Sequence, residues 1–151
     1  MSDSRFTWVE LALLAAIAGM IVVIARPGIL RSQVAVNEEE AIAALRTLAA
    51  VEGRYHNTYP SAGYTCSLEE LYRVGFIDRE LASGTRSGYR LTSSGCRSGN
   101  PKSKANTEYQ WFADPVASST GTRHFCLDQT KTVRASDVDA GQDCLVRGSE
   151  I

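Results

Sequence analysis

Apolar residues follow two patterns along this chain, one continuous and one periodic. From Phe6 to Ala25 nearly every position is apolar, and Glu10 is the single carboxylate in the run. A helix of about twenty residues spans roughly 30 Å, the hydrocarbon thickness of a bilayer. From Leu30 to Tyr55 there is no proline and one glycine, Gly53, and Ala35, Ile42, Leu45 and Ala49 recur near helical spacing. Glu38, Glu39, Glu40, Arg46, Glu52 and Arg54 then take the remaining faces of an amphipathic helix. Pro27 lies between the two stretches, where a missing backbone donor and a clash with the preceding turn bend a helix. The pattern predicts one long kinked helix from Phe6 to His56, with 6–26 apolar all round and 27–56 amphipathic.

After Pro60 the periodicity shortens. Ser67-Leu-Glu-Glu70 is a capping-box pattern, which predicts a short helix from Leu68 to Val74 closed by Gly75. Asp78 is positioned to cap a further turn through Leu81, before Gly84. Tyr89 to Thr92, Glu108 to Phe112, Arg123 to Leu127 and Thr132 to Arg134 read as strands, the last two joined across Asp128 to Lys131. Asp114-Pro115 reads as a turn. The expected fold class is α+β, with the long helix packed on an antiparallel sheet of about four strands and a head spanning 57–151.

Composition narrows the chemistry. The 16 basic and 17 acidic residues nearly balance, so bulk charge predicts no nucleic-acid partner, and the basic run Arg97 to Lys104 reads as a solvated loop. His56 and His124 are far apart with no ligand-spaced neighbours, and read as structural or exposed. Glu69 and Glu70 are adjacent and point to different faces of a short helix, so capping explains Glu70 better than acid catalysis. No phosphate-binding glycine loop, nucleophile elbow or zinc-protease motif is present, so neither an enzyme nor a cofactor is expected. Asp137, Asp139 and Asp143 place oxygen ligands at calcium-like intervals without an EF-hand's closing glutamate, which leaves calcium a secondary idea.

Cys66, Cys96, Cys126 and Cys144 contain no Cys-x-x-Cys pair, and their even number suggests two disulfides in an oxidising compartment. Three connectivities exist. Cys66–Cys96 and Cys126–Cys144 are favoured because each closes a loop local in sequence, with a stabilisation of roughly 3 kcal/mol in the chain-entropy model.

Three features set the N-terminal run apart from a secretory signal: its length, Glu10 near its start, and the Arg26-Pro27-Gly28 that follows it in place of a small-residue cleavage site. A carboxylate in a membrane helix costs roughly 2.5–3.5 kcal/mol at the centre and less near an end, so Glu10 is either a penalty with no return or a group with a partner elsewhere. Phe6-Thr-Trp-Val-Glu10 followed by an apolar run resembles the N-terminal signature of type IV pilins and the pseudopilins of type II secretion. That resemblance covers about the first thirty residues. It implies a leader, Met1 to Arg5, cut between Arg5 and Phe6, N-methylation of Phe6, and assembly directed by Phe6 and Glu10. It also implies a helix kink at Pro27. Arg5 stands where the family usually has glycine.

The implied protein is a structural subunit, single-pass in the inner membrane with its head in the periplasm, then part of a homo-oligomeric pilus or periplasmic filament. Prepilin peptidase and the pilus or type II secretion machinery are its implied partners. A minor pilin or a pseudopilin would share this device. A membrane-anchored periplasmic binding module, with the helix as a mere tether, is the alternative from another class, and an anchored hydrolase lacks any recognisable residue set.

Overall fold

The computed structural model describes residues 8–99, 104–138 and 141–151, with the backbone alone for 21–30 and Gln142. The chain forms two compact units, Met1–Gln33 and Val34–Ile151. Helix α1 is assigned over Trp8–Thr58. It is followed by α2 (Leu68–Arg73), α3 (Arg79–Ala82), β1 (Thr85–Arg86), β2 (Tyr89–Ser93), β3 (Gln110–Pro115), β4 (His124–Asp128), β5 (Val133–Ser136), α4 (Gln142–Arg147) and β6 (Ser149–Glu150).

The sheet is a six-stranded meander in the order β1-β2-β3-β4-β5-β6, every neighbouring pair antiparallel. Its register produces two apolar rows on one face. Leu91, Ala113, Phe125 and Ala135 are successive cross-strand partners, as are Trp111, Leu127 and Val133. Against these rows pack Ala41, Ala44, Leu45, Leu48, Ala49 and Tyr55 of α1, with Leu71, Ile77 and Leu81 from the short helices, in one buried cluster. The alternate residues Phe112 and Cys126 face the other way and form a second, smaller cluster with Cys144 and Leu145 of α4.

These facts correct the expected type IV pilin-like fold class, a long kinked helix on a sheet of about four strands. The sheet has six strands, and a single long N-terminal helix packed on it is not seen; Met1–Gln33 and Val34–Ile151 are separate compact units. The two added strands, β1 and β6, are two residues long, too short to display a period. β3 starts two residues later than expected and runs through Asp114-Pro115, because a proline is tolerated at a strand end. The kink expected at Pro27 falls where no side chain is described.

The expected apolar face is borne out at Leu45 and Ala49, which are buried, but Ala35 is exposed and Ile42 only half-buried, and Ala41, Ala44 and Leu48 complete the buried stripe. Ser67 caps α2 as its sequence suggests, accepting from the Glu70 amide at 3.2 Å. Glu70 does not complete the box. Its carboxylate takes Arg73 at 2.6 Å and the Tyr55 hydroxyl at 3.2 Å. Asp78 caps α3 through the Leu81 amide at 2.8 Å.

Disulfides join Cys66 to Cys96 and Cys126 to Cys144, and no cysteine is free. The second matters for α4, whose six residues lack a side-chain N-cap bond and are too few to hold a helix alone. Sequence-local cross-linking to β4 fixes them on the sheet's outer face.

Leu48 lies at the centre of the helix–sheet contact with no exposed surface. Leu48→Ala should lower stability by about 2–5 kcal/mol, read by denaturant unfolding of the full chain. A cost below about 1 kcal/mol would mean that α1 is not packed as described.

Candidate functional site

Trp8, Val9, Leu11, Leu13, Leu14, Ile17 and Met20 are all at least half exposed, the first at 89%. At 100° per residue these positions are spread around the whole helix rather than along one stripe. Glu10 lies in the first turn of α1, where the helix dipole favours a carboxylate. Arg5, Phe6 and the expected 1–5 leader lie outside the described residues. Among the described residues no helix is long and apolar enough to cross a membrane. The span expected over 6–26 includes positions whose side chains are not described.

Two buried carboxylates of α1 were expected on its solvated faces. Glu52 has no exposed surface. Its carboxylate accepts from the backbone amides of Thr65 and Cys66, each at 2.9 Å, and from the Trp111 indole N–H at 3.2 Å. No ion pair to it exists among the described residues. Burial pushes its pKa up, and the three hydrogen bonds only partly oppose that.

Glu38 is buried with a different set of donors. Its Oε1 accepts from the Thr122 amide at 3.1 Å and hydroxyl at 3.0 Å, and its Oε2 from Arg123 Nε at 3.0 Å. Burial would raise its pKa, but the bonds from Thr122 and the Arg123 guanidinium outweigh that and hold it below the ordinary value. The sequence signal for Glu52 was register: Leu45, Leu48, Glu52 and Tyr55 lie three or four residues apart on the stripe that faces the sheet.

Tyr109 carries a further polar group into the core. Its ring meets Tyr64 edge-on with centroids 4.7 Å apart, and its hydroxyl has no hydrogen-bond partner among the described residues. Desolvation, with the nearby Tyr64, Glu52 and Asp128, raises its pKa. His56 lies against Tyr64, and His124 Nδ1 is 2.6 Å from Asp114.

The calcium candidates are only partly brought together. Asp137 and Asp143 line a shallow cleft of about 420 Å³ with Ser136, Arg147 and Ser149, while Asp139 lies outside the described residues. Arg147 is a cation in that cleft, and no group of three metal-ligating side chains forms among the described residues. No protein-family model, curated protein or solved structure matches this chain.

The two carboxylates should give opposite pH signatures. Folded Glu52 holds its proton more tightly than the unfolded chain does. Its contribution is therefore complete below the ordinary value of 4.5 and lost as pH rises through the raised native pKa. Glu38 contributes fully above 4.5 and loses that contribution as pH falls through its lowered native pKa. Denaturant unfolding across pH should show wild type losing stability relative to Glu52→Gln on the rising side, and relative to Glu38→Gln on the falling side. Parallel curves for all three proteins would refute the assignment. Removing the partnerless hydroxyl by Tyr109→Phe should hold or raise stability, by up to about 1–3 kcal/mol. A clear loss in calorimetry would show that the hydroxyl has a partner.

Proposed function

We propose that this chain is a structural subunit that assembles through the apolar stretch of α1 into a type IV pilus or a related cell-surface or periplasmic filament. The observation that carries the reading is the ring of exposed apolar side chains from Trp8 to Met20. A helix that is apolar all round is stable only when surrounded, by lipid or by protein. Identical helices from other copies surround it in a bundle, and the inner membrane surrounds it before assembly.

Glu10 gives the bundle its axial register. A buried carboxylate paired with the amino terminus of a neighbouring Phe6 adds little net stability, but mispairing strands a charge at roughly 3–5 kcal/mol. Fully oxidised cysteines support a head outside the cytoplasm. The N-terminal motif supports processing between Arg5 and Phe6 by a prepilin peptidase.

The test combines mass and assembly. Intact mass of the mature protein should correspond to a chain that begins at N-methylated Phe6. Glu10→Ala should leave the head folded, by circular dichroism, and reduce filaments at least tenfold by electron microscopy, because the neighbouring amino terminus is then buried without its partner. Normal filaments from Glu10→Ala would sink the register role. A mature chain that begins at Met1 and stays monomeric in membranes would favour the tethered binding module instead.

A further inference from the structure

The two disulfides have different surroundings. Cys126 and Cys144 have no exposed surface and are enclosed with Phe112 and Leu145 between α4 and the sheet. Cys66 and Cys96 are only half-buried, in the loops that precede α2 and follow β2. A thiolate must reach a sulfur atom to exchange with a disulfide, so access decides which of the two reacts.

Each end of Cys66–Cys96 is also held by bonds other than the disulfide. The backbone amides of Thr65 and Cys66 both donate to Glu52 of α1 at 2.9 Å. Just before them, the Tyr64 amide donates to the Asn106 carbonyl at 3.0 Å, and the Asn106 amide donates to the Ala62 carbonyl at 2.8 Å. Beside Cys96, the Arg97 amide donates to the Glu108 carbonyl at 3.0 Å, and the Arg97 carbonyl accepts from the Thr107 amide at 2.9 Å. Both cysteine loops therefore rest on one short segment, 106–108, which leads into β3. The other disulfide lacks this redundancy. Helix α4 has six residues and no side-chain cap, so Cys126–Cys144 is part of what keeps it on the sheet.

We propose that Cys66–Cys96 is a reversible exchange site for thiol reductants, and that Cys126–Cys144 is a permanent structural link. The substrate class is a thiol or dithiol. Its thiolate attacks one sulfur of the pair and forms a mixed disulfide, while the other sulfur leaves as a thiolate and takes up a proton. The second thiol of a dithiol then displaces the bound cysteine. The protein disulfide is thereby reduced to two thiols, and the reagent is oxidised to its own disulfide. Glu52 and segment 106–108 still hold both backbones after reduction, so the two thiols stay adjacent and the bond re-forms readily when a disulfide reagent is in excess. Exchange does not require assembly, so this site stands or falls apart from the filament reading.

Graded reduction of the full chain by dithiothreitol, with iodoacetamide capping and peptide mass spectrometry, tests the assignment. Cys66 and Cys96 should be capped roughly tenfold or more faster than Cys126 and Cys144, because the buried pair reacts only after the fold opens. Amide hydrogen exchange in β4 and β5 should be as slow after the first reduction as before it. Excess glutathione disulfide should then restore Cys66–Cys96 without pairing either cysteine to Cys126 or Cys144. Cys66→Ser combined with Cys96→Ser should keep the near-ultraviolet circular dichroism of the oxidised protein. Equal capping of all four cysteines, or resistance of Cys66–Cys96 in the folded protein, overturns the proposal. So does loss of amide protection on its reduction, failure of the bond to re-form, or unfolding of the double variant.

Discussion

The Glu52 carboxylate ties together a helix, a loop and a strand of the folded unit. From α1 it accepts the amides of Thr65 and Cys66, which lead into the Cys66–Cys96 disulfide, and the indole of Trp111 on β3. Three donors converge where no water reaches, and each would be costly to leave unpaired. The carboxylate's own burial is unfavourable, so the tie is a compromise between its desolvation and the satisfaction of three donors. Cys66 has a left-handed backbone, φ 51°, that turns its amide toward the helix. Helix, loop and sheet must therefore be in place together.

Around that tie the molecule divides its cohesion by type. The helix–sheet interface from Ala41 to Tyr55 is apolar except for the buried Glu52. Where α1 enters the folded unit, the attachment is polar, through Asn37, Glu38 and Glu40. In the other unit, Trp8 to Met20 expose apolar side chains. Apolar core, polar attachment and exposed apolar surface thus each have a different physical chemistry.

Much of the element plan was legible because each legible element advertises itself locally. Ser67 and Asp78 announce two helix starts by capping chemistry, and Tyr89 to Thr92 alternates across a half-buried sheet. Other elements carry no such signal. β1 and β6 are too short for a period, and α4 has a glycine at its N-cap and depends on the Cys126–Cys144 link. Glu70 illustrates competition: its sequence offers a capping box, but Arg73 one turn on and the Tyr55 hydroxyl offer better geometry.

By itself the sequence determined the all-round apolar run with Glu10, the helical stretch that continues it, and the short-period region that becomes a sheet. Those are properties of neighbouring residues and of period, which a linear chain carries in full. Only the tertiary structure decided that Glu38 and Glu52 are buried with opposite proton affinities. Their partners, Thr122 and Arg123 for one and Thr65, Cys66 and Trp111 for the other, lie between 13 and 85 residues away along the chain. Whether a charge on a helix faces water or a set of converging donors depends on where the rest of the chain comes to lie.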